Sequence, residues 1–266
     1  MPRREPLLER CQDKTELNLF LSASAELQLY GLGDLDPFFW PFTRYYVKRE
    51  NSVIVAVVIV YQTTDLPIVM ALGDNIPALI SLLSELLPTL GERIYCHLSF
   101  GCEATVLAEF NCTYSEHQGR MILKQPRNTV VENECLIEMG PNDAERLKDF
   151  FQLSYPSNWF DPAMLNCHPF IGYVHNHQLV SVAGIHVFSP EYKVAALGNI
   201  TTHPDFRGQG FASLCTAALN QQLMSQVELI GLNVHMKNTA AIRSYEKVGF
   251  ELTHRFAEMM LERKQG

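Results

Sequence analysis

Arg207-Gly208-Gln209-Gly210-Phe211-Ala212 is the run on which the reading of this chain turns. It sits between a β-rich segment, Lys193 to Thr202, and an apolar-periodic segment from Phe211 to about Gln222. A strand, a turn and a helix in that order point consecutive backbone N–H groups at one spot, the positive end of a helix dipole. Such a spot suits a phosphate or pyrophosphate. Glycines at 208 and 210 let the backbone approach a ligand closely, and Arg207 adds a fixed positive charge. Two glycines alone can be a mere tight connection, so the flanking segments matter.

A second strand is expected from Leu229 to His235. Asn238-Thr239-Ala240-Ala241 then opens a helix, and Tyr245-Glu246-Lys247-Val248-Gly249-Phe250 leads into a last strand. In this order the segments resemble the GNAT superfamily of acyl-CoA-dependent N-acyltransferases. The pyrophosphate signature of that family is Gln or Arg, two residues, Gly, one residue, then Gly or Ala, and Arg207, Gly210 and Ala212 fill it. The resemblance is clearest from Cys135 to Leu261, about half the chain. It implies an α/β fold of the GNAT type, built on a mixed sheet.

Upstream of the turn, Cys135 to Met139 reads as a short strand, and Asn142 as the cap of a helix to about Leu153. Asp161-Pro162 starts a second short helix, and Phe170 to Val174 with Gln178 to Phe188 reads as a hairpin around Asn176. The first half echoes the same order. Arg44 to Val47 and Ser52 to Tyr61 form a hairpin around Glu50-Asn51. Pro67 to Leu72 is a strand, Ile76 to Leu87 a helix with Pro77 in its first turn, and Ile94 to Phe100 and Arg120 to Lys124 are strands. Two tandem GNAT-like lobes are therefore expected, residues 1–125 and 133–266, with a polar proline-bearing linker at Gln125-Pro126-Arg127-Asn128. The first lobe is degenerate. Where the second has its glycine turn, the first has Gly73-Asp74-Asn75, and Asp74, read as a helix cap, puts negative charge where a phosphate needs positive. No cofactor is expected there; that lobe is left to shape the substrate cleft, to complete the core or to make a homodimer contact.

Composition narrows the field. The chain has 266 residues, 47% hydrophobic, with formal net charge −8, which argues against a nucleic-acid binder. Its most apolar run, Ser52 to Tyr61, is far short of the roughly 20 residues that span a bilayer. No signal core comes after Arg3 and Arg4, so a cytoplasmic protein off the membrane is expected. Seven scattered cysteines without a Cys-x-x-Cys pair fit reduced, mostly buried thiols and no metal site. His175 and His177 read as exposed turn residues.

Acyl transfer from a thioester to an amine needs an anchored donor, a polarised carbonyl, a neutral amine and a protonated leaving thiolate. The amides of Gly208, Gln209, Gly210, Phe211 and Ala212, with Arg207, are the expected anchor for the pyrophosphate of acetyl-CoA. The resemblance further implies backbone contacts from Ile200, Thr201 and Thr202 to the pantetheine arm, one of them polarising the carbonyl. It implies cofactor contact by Asn238, which is also a natural helix cap, and a general-acid role for Tyr245. Asn238 and Tyr245 are two helical turns apart and share a face. Tyr245 also reads simply as a core tyrosine. The base is missing: where the family often places a Glu, this chain has Val194-Ala195-Ala196. Glu191, His186 and Asn199 are the nearest polar groups, and a water chain would serve as well. Trp159 and Phe160 could wall an acceptor pocket. The leading reading is an acetyl-CoA-dependent N-acetyltransferase acting on a small amine or amino acid by direct attack in a ternary complex. The glycine N-acyltransferases, which have a GNAT-like C-terminal half, share the layout. A non-catalytic acyl-CoA sensor is the alternative. A dinucleotide oxidoreductase lacks its third glycine and its ribose-binding acid.

Overall fold

Two strands of 14 residues, Phe110–Leu123 and Phe250–Arg263, dominate the architecture. At roughly 3.3 Å per residue each runs about 46 Å, longer than a typical strand. The computed structural model describes residues 8–126, 134–166 and 169–265. Its two units are Met1–Gly119 with His254–Gly266, and Arg120–Thr253. Each long strand starts in one unit and ends in the other.

The first unit begins with β1 (Arg10–Cys11), α1 (Lys14–Ser22) and α2 (Leu29–Gly33), which the sequence pattern does not announce. Next come the hairpin β2 (Thr43–Glu50) and β3 (Val53–Tyr61), β4 (Ile68–Ala71), α3 (Ile76–Leu86), β5 (Arg93–Leu98), α4 (Glu103–Glu109) and β6 (Phe110–Leu123). The hairpin turns on Asn51-Ser52, one residue later than expected, with φ of 49° and 68°. That left-handed pair matches the twist of the flanking strands. Strands β4 and β5 are parallel, from Ile68↔Tyr95 to Ala71↔Leu98. Leu79, Leu82, Leu83 and Leu86 of α3 recur at helical spacing and pack on Val58, Val60, Val69 and Ile94. Each buried leucine contributes about 1.5–3 kcal/mol. Asn75, not Asp74, caps α3: it immediately precedes the first helical residue, and its Oδ1 accepts from Ala78 N at 3.3 Å.

The second unit holds β7 (Leu136–Met139), α5 (Ala144–Ser154), β8 (Phe170–His175), β9 (Gln178–Ser189), β10 (Val194–Thr202), α6 (Phe211–Leu223), β11 (Leu229–His235), α7 (Thr239–Lys247) and the start of β12 (Phe250–Arg263). The strand order is β6-β11-β10-β9-β8-β7, with β10 and β11 parallel. Asn142 does not cap α5. It lies in a 3-10 turn, Pro141–Asp143, where Asp143 Oδ2 accepts from Gly140 N at 3.0 Å. The short helix after Asp161 is also 3-10, Pro162–Asn166. One sheet face packs on α6 and α7 through Ala195, Leu197, Ile230, Leu232 and Cys215. On the other, Leu147, Phe150 and Phe151 of α5 meet Phe170, Leu179 and Val182.

The expected division at 1–125 and 133–266 does not describe the end of the chain. From Ala257 to Glu262, β12 pairs antiparallel with β5 of the first unit. The cause is its continuing alternation: Phe250 joins the core of the second unit, while Ala257, Met259 and Leu261 join that of the first. Arg127 and Asn128 of the expected linker, with residues 129–133 after them, lie outside the described residues. No helix among the described residues is long and apolar enough to cross a membrane.

Opposite His97 on β5 stands Glu258, 4% exposed, which accepts from Gln118 Nε2 at 2.7 Å. Burial pushes its carboxyl up to about 7, and His97 Nε2, 3.9 Å away, does not offset this. The folded chain thus holds a proton that the unfolded chain releases above pH about 4.3. Stability from this group is full below that value and falls as pH rises through 7. Glu258→Gln keeps the shape and removes the titration. Its melting temperature should match the wild type at pH 4 and exceed it by several degrees at pH 8. A pH-independent difference would refute the assignment.

Candidate functional site

In the second unit, β10 and β11 are in register from Val194↔Leu229 to Leu197↔Leu232, and there the pairing stops. Strand β10 continues to Thr202 and β11 to His235. The divergence coincides with a bulge against β9 between Gly198 and Thr201, where Asn199 takes φ 53°. An extra residue of this kind bends a strand and re-aims the residues beyond it. Ile200, Thr201 and Thr202 are therefore strand residues without a partner on β11.

The parted end of β10 leads through a 3-10 turn, Pro204–Phe206, into the glycine turn. Gly208 and Gly210 have φ of 78° and 87°, and a Cβ at either would meet nothing within 4 Å. Here it is the left-handed backbone that requires glycine, and the space outside the turn is open. Gly210 caps α6 without a side-chain hydrogen bond. The amides of the first turn of α6, Phe211 and Ala212 among them, are left to an outside acceptor, at the positive end of the helix. Phe211 anchors the turn from within, its ring 4.6 Å from that of Tyr173. Gln209 is exposed in the same turn.

Arg207 is held rather than free-swinging. Its Nε donates to Thr202 O at 3.1 Å and its Nη2 to Ser154 O at 3.0 Å. The guanidinium thus stands at the C-terminal end of α5, where a cation is favoured, and beside the glycine turn. Thr201 Oγ1 donates to the same Ser154 O at 3.2 Å, and Thr202 Oγ1 lies 2.9 Å from Ser181 Oγ. The side chains of both threonines are engaged within the protein. Ser154, where α5, β10 and Arg207 meet, carries no motif that sequence reasoning could have found.

Asn238 caps α7, its Oδ1 accepting from Ala241 N at 3.1 Å, and the residue is exposed. Tyr245, two turns along, is 8% exposed, with its ring 6.1 Å from Phe250. Burial, and then the neighbouring Tyr155, hold its phenol well above the usual tyrosine range. Burial also raises Tyr155. Tyr245 is therefore protonated throughout the neutral range, and is a weaker acid than an exposed tyrosine. Tyr155, like Ser154, was not among the expected residues.

Of the polar groups near the missing base, Glu191 is exposed in the β9–β10 turn. The His186 ring lies against Gly198, where an added Cβ would come within 2.3 Å of it. Asn199 is 2% exposed. Val194, Ala195 and Ala196 are buried. No group of three metal-ligating side chains occurs among the described residues, and the described cysteines are free thiols.

Residues 137–250 match the model of the acetyltransferase (GNAT) family. No curated protein matches the sequence. Among solved structures, the fold is similar to that of a Novosphingobium aromaticivorans protein assigned to the GNAT acetyltransferases. It has TM-score 0.65 and 16% identity, over 90% of this chain and 98% of that one. A Drosophila protein aligns with TM-score 0.62 and 13% identity, over 93% of this chain and 87% of that one. A tandem GNAT protein from the clavulanic acid biosynthesis pathway aligns with TM-score 0.56 and 14% identity, over 97% and 98%. The family match ends at Phe250, and the structural likeness extends over the first unit as well. Residues 137–250 thus carry the match to the GNAT family, and the chain as a whole has the fold of the GNAT acetyltransferases, its N-terminal half included.

Proposed function

We propose that the second unit transfers an acetyl group from acetyl-CoA to the primary amine of a small molecule or amino acid. The observation that carries this reading is the pairing of an uncapped α6 N-terminus with a β10 edge that has left β11. One suits a pyrophosphate and the other the amide-bearing arm of the same donor. Arg207, Gly208, Gln209, Gly210, Phe211 and Ala212 would hold the pyrophosphate, Ile200, Thr201 and Thr202 the arm, and Asn238 the far side. The amine nitrogen attacks the thioester carbonyl carbon directly. A C–N bond forms, the C–S bond breaks, and sulfur leaves with the bonding pair. The nitrogen gives up one proton to water, and the sulfur takes one from water. Tyr245 serves the sulfur as a hydrogen-bond donor. Complete transfer from so weak an acid to a thiolate of ordinary pKa about 8.5 runs uphill, so its main contribution is to stabilise the developing charge.

The first unit, with Gly73-Asp74-Asn75 before α3, is read as holding no donor. The free thiols suit a cytoplasmic setting. A sensor that binds acyl-CoA without turnover is the second reading, favoured by the apolar side chains at Val194, Ala195 and Ala196. The test is acetyl-CoA consumption over a panel of amines and amino acids, with calorimetry for CoA. Turnover with any acceptor supports the enzyme. Tight CoA binding without turnover supports the sensor, and absence of both removes the two together.

A further inference from the structure

We infer that Asn199 and Asn233 seat the attacking amine through their side-chain carbonyl oxygens, an assignment that rests on the acyltransferase reading. Both Oδ1 atoms are buried with no hydrogen-bond partner among the described residues. Leaving such an oxygen unpaired costs about 1–3 kcal/mol, so it calls for an explanation. Asn199 Nδ2 has only a weak contact, 4.0 Å to Met164 Sδ.

The two oxygens belong to one face at one place. Leu232 and Val234 pack with the α6 and α7 cluster, so Asn233 between them projects from the opposite face. Asn199 meets Met164, which packs with the α5 cluster on that same opposite face. Asn233 comes directly after the last paired residue of β11, and Asn199 is two residues beyond the last paired residue of β10. The unsatisfied acceptors therefore flank the point where the strands part.

What they lack is a ligand rich in N–H donors. A primary amine carries more than one, and a hydroxyl or thiol acceptor carries a single hydrogen on its reacting atom. A site built to receive such hydrogens rejects analogues without them. The oxygens are also neutral. A carboxylate at this position would hold the amine protonated by raising its pKa about one to three units, whereas an amide oxygen does so far less. This gives a physical reason why the chain can work with apolar side chains where a base would stand: the seat does not stabilise the unreactive ammonium form.

The test compares the wild type with Asn199→Gly, Asn233→Ala and Asn199→Asp, using whichever amine of the panel the wild type acetylates. Glycine tolerates the left-handed backbone at 199, so the first variant removes the oxygen without strain. It should raise KM for the amine tenfold or more while acetyl-CoA affinity changes less than twofold. Asn233→Ala should act in the same direction, and it carries the test should the glycine variant fail to fold. Asn199→Asp should move the rising limb of kcat against pH upward by about one unit. His186 lies against Gly198 and His235 ends β11, so the readout is the shift from wild type. An amine KM within twofold of wild type in both Asn199→Gly and Asn233→Ala would overturn the seat while leaving the acyltransferase reading in place. A wild type that acetylates nothing would remove that reading, and the seat with it.

Discussion

Arg207→Glu combined with Gly210→Asp is expected to abolish CoA binding, with Kd rising at least 10²-fold, about 3 kcal/mol or more. The two changes act on different parts of one site. The first replaces a guanidinium beside the turn with a carboxylate, and so opposes the phosphates it would have drawn in. The second places a negative side chain at the cap of α6, where its oxygens can bond the amides meant for the ligand. A structural cost is also expected, because Arg207 bonds Thr202 O and Ser154 O, and Gly210 sits at φ 87°. That cost should be a few kcal/mol, visible as a lower melting temperature in a chain that still folds cooperatively. Unchanged affinity in a calorimetric titration would place the CoA site elsewhere in the molecule.

Tyr245→Phe is expected to lower turnover roughly 10²-fold or more and to leave acetyl-CoA affinity nearly unchanged. Phenylalanine keeps the ring against Phe250 and removes one hydroxyl. A pure packing role would leave the rate intact, so this outcome separates a core tyrosine from one that serves the leaving sulfur. Because burial and Tyr155 hold the phenol protonated, its loss should be felt equally across neutral pH. An undiminished rate would reduce Tyr245 to a core residue.

The second unit was the more legible, and the reason is local. Strand β11 has the expected bounds, α6 and β10 differ from expectation by one residue, and Asn238 caps α7. The starts of α6 and α7 are each set by a residue with a strong backbone preference, Gly210 and Asn238. The caps of α3 and α5 were misplaced because Asp74-Asn75 and Asn142-Asp143 each offer adjacent cap-forming residues, and only the exact helix start chooses between them. The bulge at Asn199 was not legible at all. A positive φ at a non-glycine residue is decided by tertiary packing, and the separation of β10 from β11 is its consequence. The engagement of Arg207 with Ser154 O is likewise a contact between residues 53 positions apart, which no periodicity reports.

The pairing of β12 with β5 bears on how this protein is made. Leu261 joins Ile94, far apart along the chain, and the first unit contains a strand that is synthesised after the second unit. While a ribosome is still adding the second half, β5 has one parallel neighbour, β4, and an open edge on its other side. An exposed edge beside an apolar sheet is a template for pairing with other chains. The N-terminal half therefore completes itself only once β12 has been made, when closing so long a loop makes the step slow. A nascent chain stalled or cut near Thr253 would carry a finished turn at Gly210 and yet be prone to aggregate through its other end.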